Sequence, residues 1–156
     1  IQTFDRSYKL ATISKKTQTR ITSRLARNIH DLYSNQQEFR FAIRTIYDDK
    51  CCIIGNSIST GETINCEAAH IKPFSTGGNH AAKNGLLLSR DLHWAFDKGC
   101  FTIDQSYEIK VHKKMKSSSL GKFDGKKIKL PNKDFWPSIK NITYHNQEIF
   151  LKFKET

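Results

Sequence analysis

Three short motifs in the middle of the chain combine residue types that could activate water and hold a metal ion. Their sequences are EAAHIKP at 67–73, NG at 84–85 and HWAFD at 93–97. A neutral imidazole, with an ordinary pKa of about 6.5, can take a proton from water near neutral pH. On a helix, His93 and Asp97 would project from the same face because they are one turn apart. A nitrogen and a carboxylate oxygen suit Mg²⁺, Mn²⁺ or Zn²⁺. The motifs therefore indicate metal-assisted hydrolysis of a phosphodiester.

The charge of the chain favours a polyanionic partner. Twenty-six Lys and Arg face 15 Asp and Glu, giving a net charge of +11 over 156 residues. Such an excess is typical of proteins that bind nucleic acid or an anionic membrane surface. No apolar run approaches the roughly 18 residues that a membrane span needs. We therefore expect a nucleic-acid partner and no membrane, in a chain that is long enough for one domain with its own core.

Two helices are expected before the motifs, within residues 14–47. Apolar residues recur there at helical spacing. Ser34, with Gln37 three residues later, resembles a capping box, so the helices should meet near Ser34-Asn35. Their polar faces are basic, which fits a solvated surface and phosphate contact about equally well. The cations are Lys15, Lys16, Arg20, Arg24, Arg27, Arg40 and Arg44.

Strands and a further helix are expected around the motifs. Residues 51–54 and 64–71 are predicted to pair as a hairpin around the turn-rich 55–61, with 72–88 as a loop. A helix is predicted at 90–98, capped by Ser89 and ended by Gly99, with Trp94 and Phe96 in the core. A second hairpin is predicted at 101–104 and 107–112, turning at 105–106. A basic mobile loop at 113–122, a short strand at 126–130 and a helix from Pro137-Ser138 complete the pattern.

These motifs, in this order, closely resemble the HNH endonucleases. The matching pieces are AHIxP at 69–73, NGL at 84–86 and HxxFDxG at 93–99, and the resemblance is strongest over 51–104. Looser matches at 36–55 and 125–150 resemble prokaryotic restriction-type HNH proteins. The resemblance implies an α+β domain built on a ββα-metal core. It divides the single domain into a helical part at 1–48, the core at 49–104 and an extension at 105–156.

The resemblance also implies a role for each motif residue. His70 would be the general base, and His93 and Asp97 would ligate one divalent metal ion. Asn84 would brace the loop and help to orient His70. Mg²⁺ or Mn²⁺ is favoured, with Zn²⁺ or Ni²⁺ as alternatives. His80, His112 and His145 lie outside the pattern and are given no catalytic role.

One departure from the family pattern concerns the metal. Many members have Asp or His immediately before the general base, where this chain has Ala69. Glu67 lies on the same predicted strand face and could replace that ligand, or it could be a surface residue. A degenerate HNH fold that binds nucleic acid without cutting it, and a non-specific nuclease effector or toxin, therefore remain alternatives.

The expected setting is prokaryotic, cytoplasmic restriction or anti-phage defence acting on double-stranded DNA. Candidate phosphate contacts are Lys72, Arg90, Lys98, Arg40 and Arg44. A homodimer, and a separate recognition domain outside this chain (which begins at Ile1), are further expectations. The four cysteines contain no CxxC pair, so buried thiols are favoured over a zinc site formed by Cys52, Cys66 and a histidine.

Overall fold

The computed structural model of the protein describes residues 13–153. It combines helices with two small antiparallel sheets, and the predicted α+β class is thus confirmed. In chain order the elements are α1 (Lys15–Ala26), α2 (Gln36–Ile46), β1 (Cys66–His70), β2 (Gly85–Ser89), α3 (Arg90–Asp97), β3 (Phe101–Ile103), β4 (Ile109–Val111) and α4 (Ile139–His145). Within residues 13–153, no helix is both long and apolar enough to cross a membrane.

The two N-terminal helices form as predicted, but their junction differs. Helix α1 ends at Ala26, and Asn28 adopts a positive φ of 56° that turns the chain away. Asn35 rather than Ser34 is the N-cap of α2, because its side-chain oxygen accepts a hydrogen bond from the Glu38 backbone N–H at 2.9 Å. Residues 27–35 therefore form a connection between the two helices, in which Leu32 is 69% exposed.

The predicted first hairpin is wrong. Strand β1 pairs with β2, from Cys66 opposite Ser89 to His70 opposite Gly85, whereas residues 52–54 form a turn. All of β2 is buried, and its run of three leucines suits a strand covered on both faces. Residues 85–88, the end of the predicted loop at 72–88, therefore belong to strand β2. Cys52 still contacts it, since its backbone N–H donates to the Leu87 carbonyl at 2.9 Å.

A glycine lets helix α2 pack closely on the sheet. A Cβ at Gly85 would lie 2.3 Å from Cδ1 of Ile43 and 2.9 Å from Cζ of Phe39, distances that a real side chain cannot occupy. The NG motif thus owes its glycine to close packing of α2, which carries Phe39 to the side of β1 where His70 emerges.

Helix α3 follows β2 without a break and packs on the same core. Its Leu92, Ala95 and Phe96 are buried, as predicted, but Trp94 is 62% exposed, so its assignment to the core is wrong. Gly99, with φ of 80°, ends the helix. The exposed edge of α3 carries His93 and Asp97 beside β1.

The C-terminal part supports α3 from behind. The predicted hairpin is confirmed as β3 and β4, and α4 starts at its N-cap Ser138. Residues 126–130 form only an isolated bridge between Glu108 and Lys127, so the strand predicted there is wrong. The 113–122 segment contains short 3-10 turns. The four cysteines are buried free thiols, as favoured above.

Candidate active site

The first site residue, His70, ends strand β1 and is held by aromatic stacking. Its ring lies parallel to that of Phe39 on α2, with centroids 4.1 Å apart and planes inclined by 11°. Burial, followed by the nearby charges of His80, His93 and Arg40, lowers the pKa of His70 to about 4. The imidazole is therefore neutral at neutral pH, which is the form that can accept a proton.

Asn84 closes the long connection between the two strands. Its side-chain oxygen accepts from the Lys72 N–H at 2.9 Å, and its amide nitrogen donates to the carbonyls of Lys72 and Asn79, each at 3.0 Å. Its own carbonyl accepts from the Ile71 N–H at 2.9 Å. With only 1% of its surface exposed, Asn84 ties the residues that follow His70 to the start of β2.

His93 lies between two carboxylates, one at each ring nitrogen. Asp97 Oδ2 is 3.2 Å from Nε2, and Glu67 Oε1 is 3.7 Å from Nδ1. Burial alone would lower the pKa of His93, but hydrogen bonding to Asp97 and Glu67 and their negative charges raise it to about 9. Glu67 thus approaches the ring from the side opposite Asp97.

The donor set fits a metal ion held through few protein ligands. Adjacent ligand atoms on an octahedral Mg²⁺ are about 3 Å apart, close to the separation of His93 Nε2 and Asp97 Oδ2. Within residues 13–153, no group of three or more His, Cys, Asp and Glu side chains is arranged to hold one ion. A zinc site of Cys52, Cys66 and a histidine is therefore not formed, whereas a pair completed by water or substrate oxygens suits Mg²⁺.

These groups line one open cleft of about 350 Å³. His70 lies on its wall together with His93, Asp97 and Glu67, and α2 contributes two arginines, Arg40 and Arg44. Arg44 also pairs with Asp49 at 2.6 Å. Residues from α2, β1 and α3 thus meet at a single water-accessible surface.

The remaining predicted residues lie elsewhere on the surface or within the loop. Lys72 places its Nζ 4.8 Å from the ring centroid of Tyr144 on α4. Arg90 and Lys98 are exposed at opposite ends of α3. None of these three lysines and arginines is among the described residues that line the cleft. Their contact with DNA stays a prediction.

One residue of the site was missed by sequence reasoning. His80 Nδ1 lies 3.0 Å from His70 Nε2, and its ring stacks on that of Phe74 with centroids 4.5 Å apart. Its spacing from His70 matches no regular element, because nine residues of connecting loop separate the two. Only its position between the two motif residues that frame this loop could have drawn attention to it.

Comparison with known proteins supports a nuclease fold. Residues 51–104 match the model of a family described as HNH endonuclease. The chain is also similar to a solved structure, the modification-dependent TagI restriction endonuclease, with a TM-score of 0.61 and 18% identity. That likeness covers 81% of this chain and 42% of the TagI chain, so this chain spans less than half of that protein. At this identity it shows the fold alone. No curated protein matches the chain.

The family match covers the β1–β2–α3 segment and every motif residue from His70 to Asp97. The resemblance to the HNH endonucleases is therefore confirmed for residues 51–104.

Proposed function

We propose that the protein is a metal-dependent endonuclease that hydrolyses DNA phosphodiester bonds, with β1, β2 and α3 as its ββα-metal core. One observation carries the proposal: a neutral imidazole, His70, shares an open cleft with the His93–Asp97 pair. The HNH family match at 51–104 supports it independently. The fold of a restriction endonuclease supports a role in restriction or anti-phage defence, in a prokaryotic cytoplasm.

The chain's own residues divide the work as follows. His70 takes a proton from a water molecule, whose oxygen attacks phosphorus while the bond to the leaving oxygen breaks. The leaving oxygen takes a proton from solvent, and His70 later releases its own to solvent. His93 and Asp97 would hold the divalent ion, with Mg²⁺ or Mn²⁺ favoured, and His93 would give up a ring proton to do so. When bound, such an ion neutralises charge on the phosphoryl and leaving oxygens. Asn84 keeps the loop after His70 in one conformation.

Glu67 orients His93 rather than replacing the ligand absent at Ala69. Its carboxylate is next to Nδ1, the nitrogen turned away from Asp97. A carboxylate on the second nitrogen of a ligating histidine fixes the ring and its tautomer, and its loss typically costs about 10–100-fold in metal affinity or activity. Glu67 is 17% exposed, in keeping with a positioned group.

Double-stranded DNA is the proposed substrate because the chain carries a net charge of +11 and α2 brings two arginines to the cleft. Arg40 and Arg44 are one helical turn apart on α2 and face the same cleft as His70. We propose that both contact phosphates near the scissile bond, Arg44 on exchanging its ion pair with Asp49 for a phosphate. A single site of this kind cuts one strand, so a double-strand break would take a homodimer or two nicks, with sequence recognition supplied by a separate domain.

Incubation of supercoiled plasmid with the protein tests this proposal. We expect nicked and linear products with Mg²⁺ or Mn²⁺ and none with EDTA. Asp97→Asn should shift the metal concentration for half-maximal rate upward by about tenfold or more, since one charged ligand oxygen is lost. Asp91→Asn, an exposed carboxylate at the other end of α3, is the matched control.

Each alternative has its own outcome in this assay. DNA binding with no cleavage under any metal would identify a degenerate binding module instead of an enzyme. A smear in place of discrete fragments would identify a non-specific nuclease. An unchanged metal dependence in Asp97→Asn would remove Asp97 from the metal site.

A further inference from the structure

The contact between His70 and His80 raises the question of which imidazole donates. The two rings face each other through Nε2 of His70 and Nδ1 of His80, 3.0 Å apart, with planes inclined by 51°. Only one hydrogen fits between two ring nitrogens at this distance, so one nitrogen donates and the other accepts. The direction of this bond fixes the tautomer of both rings.

His80 is held in place independently of His70. Its ring stacks on Phe74 with planes inclined by only 7°, and its carbonyl accepts from the Tyr33 N–H at 3.2 Å. On its two sides, Asn79 is bound through its carbonyl by Asn84, and Ala81 forms a bridge with Leu32. The fold thus presents a fixed nitrogen to the end of β1.

The two directions have opposite consequences for proton abstraction. If His70 donates from Nε2, its Nδ1 carries a lone pair and can take a proton from water. If His80 donates instead, Nδ1 of His70 carries the hydrogen, and Nε2 is occupied. Neither nitrogen of His70 is then a base.

We infer that His80 is a positioning residue, which accepts the Nε2–H of His70 and so holds the tautomer in which Nδ1 is the base. The inference rests on the proposed function and adds to it a residue outside the family's motif. In the reaction, one water proton moves to Nδ1 while the water oxygen bonds to phosphorus; the bond from phosphorus to the leaving oxygen breaks, and that oxygen takes a proton from solvent. His80 keeps its own protons, and its bond to the resulting imidazolium becomes charge-assisted.

The surroundings of His70 agree with a neutral imidazole at this position. Burial and then the charges of His80, His93 and Arg40 lower the pKa of His70, against a smaller opposing effect of Asp97. A second proton on His70 would place a positive charge in a half-buried position near Arg40 and His93. The neutral form of His70, which carries one ring hydrogen, is therefore the one that can donate this hydrogen to His80 and keep the other nitrogen as a base.

Two substitutions at His80 separate the effect of its hydrogen bond with His70 from the effect of its stacking on Phe74. His80→Phe keeps a ring against Phe74 and removes the acceptor, whereas His80→Asn keeps a polar atom near the position of Nδ1 and removes the ring. We expect His80→Phe to lower the single-turnover cleavage rate by about 10–100-fold and His80→Asn to stay within a few-fold of wild type. Thermal unfolding of both variants controls for damage to the fold.

The tautomer itself is read by ¹⁵N NMR of the histidine side chains, without metal or DNA. The His70 signals are assigned by their disappearance in His70→Gln. We expect His70 to be protonated at Nε2 in the wild type and to lose this preference in His80→Phe. Protonation at Nδ1 in the wild type would overturn the inference, as would a His80→Phe variant that cuts at the wild-type rate.

The NMR measurement tests the role of His80 separately from the proposed nuclease function. It also remains informative if one of the variants does not fold. A wild-type protein that never cuts DNA refutes the proposed function, yet its His70 tautomer still reports whether His80 accepts the bond. If His80→Phe does not fold, the wild-type spectrum and His80→Asn still decide the question.

Discussion

Two histidines, His70 at the end of β1 and His145 at the end of α4, each have a pKa that burial lowers to about 4. They lie on different sides of helix α3, and we call the side at the cleft its front and the side that contacts α4 its back. In front, His70 lines an open cleft with His93 and Asp97. Behind, His145 is 1% exposed, its Nδ1 lies 2.7 Å from the Thr102 hydroxyl and its Nε2 lies 2.9 Å from the Phe96 carbonyl. The same lowering of a histidine pKa therefore occurs both at a cleft that solvent reaches and in the buried core.

The two histidines differ in their access to solvent and in their hydrogen-bond partners. His145 is sealed against the Phe96 ring, with centroids 3.7 Å apart, and both of its nitrogens are engaged within the protein. His70 is bonded through one nitrogen to another imidazole and still borders solvent. A lowered histidine pKa thus marks burial, and only the open cleft distinguishes a group that can act on a substrate.

The sharpest test of this comparison is removal of the front histidine. His70→Ala should lower the single-turnover cleavage rate by about 10²–10⁴-fold, because no base remains to take the water proton. DNA affinity and the unfolding midpoint should change little. Cleavage at the wild-type rate would place the base elsewhere and end the distinction between the two faces.

Removal of the back histidine should have the opposite pattern. His145→Ala leaves a cavity against Phe96 and takes a partner from the Thr102 hydroxyl, which should lower the free energy of unfolding by about 2–4 kcal/mol. Chemical denaturation measures the loss. At temperatures well below the midpoint, the cleavage rate should stay near wild type. A folded His145→Ala protein with a rate as low as that of His70→Ala would contradict a purely structural role.

The site was easier to predict than the fold that builds it. Helical spacing placed His93 and Asp97 on one face, and the family resemblance linked them to His70; the structure brings all three to one cleft. The strand partner of β1 was missed because a fully buried strand such as Leu86-Leu87-Leu88 has no alternating pattern. His80 was missed for a related reason, since irregular connections give no spacing rule.

Acid should destabilise the protein through both His70 and His145, and a substitution at His145 isolates the contribution of the back of α3. A histidine whose folded-state pKa is below its unfolded value binds more protons when unfolded, so its contribution to stability is lost as pH falls from about 6.5 towards 4. For His145 the loss should approach about 2 kcal/mol at pH 5 relative to pH 7.5. Between pH 7.5 and pH 5, the unfolding free energy of His145→Ala should therefore fall less than that of the wild type, and the difference should be the contribution of His145. An exposed histidine, His30, provides the control variant His30→Ala, which should follow the wild type.

The smallest expected effect concerns Arg40, which helix α2 contributes to the cleft. Arg40→Ala should reduce the slope of log binding constant against log salt concentration by about 1. The reason is that each phosphate contact releases about one counterion from the DNA on binding, so the loss of one contact removes one such release. Fluorescence anisotropy of a labelled duplex in EDTA measures this without cleavage. Lys50→Ala removes a cation that lies outside the cleft lining and pairs with Asp48 at 3.5 Å, and it should leave the slope unchanged. Equal effects of the two substitutions would mean that DNA is held by the net charge of the protein. The cleft would then be distinguished from the rest of the surface by its histidines alone.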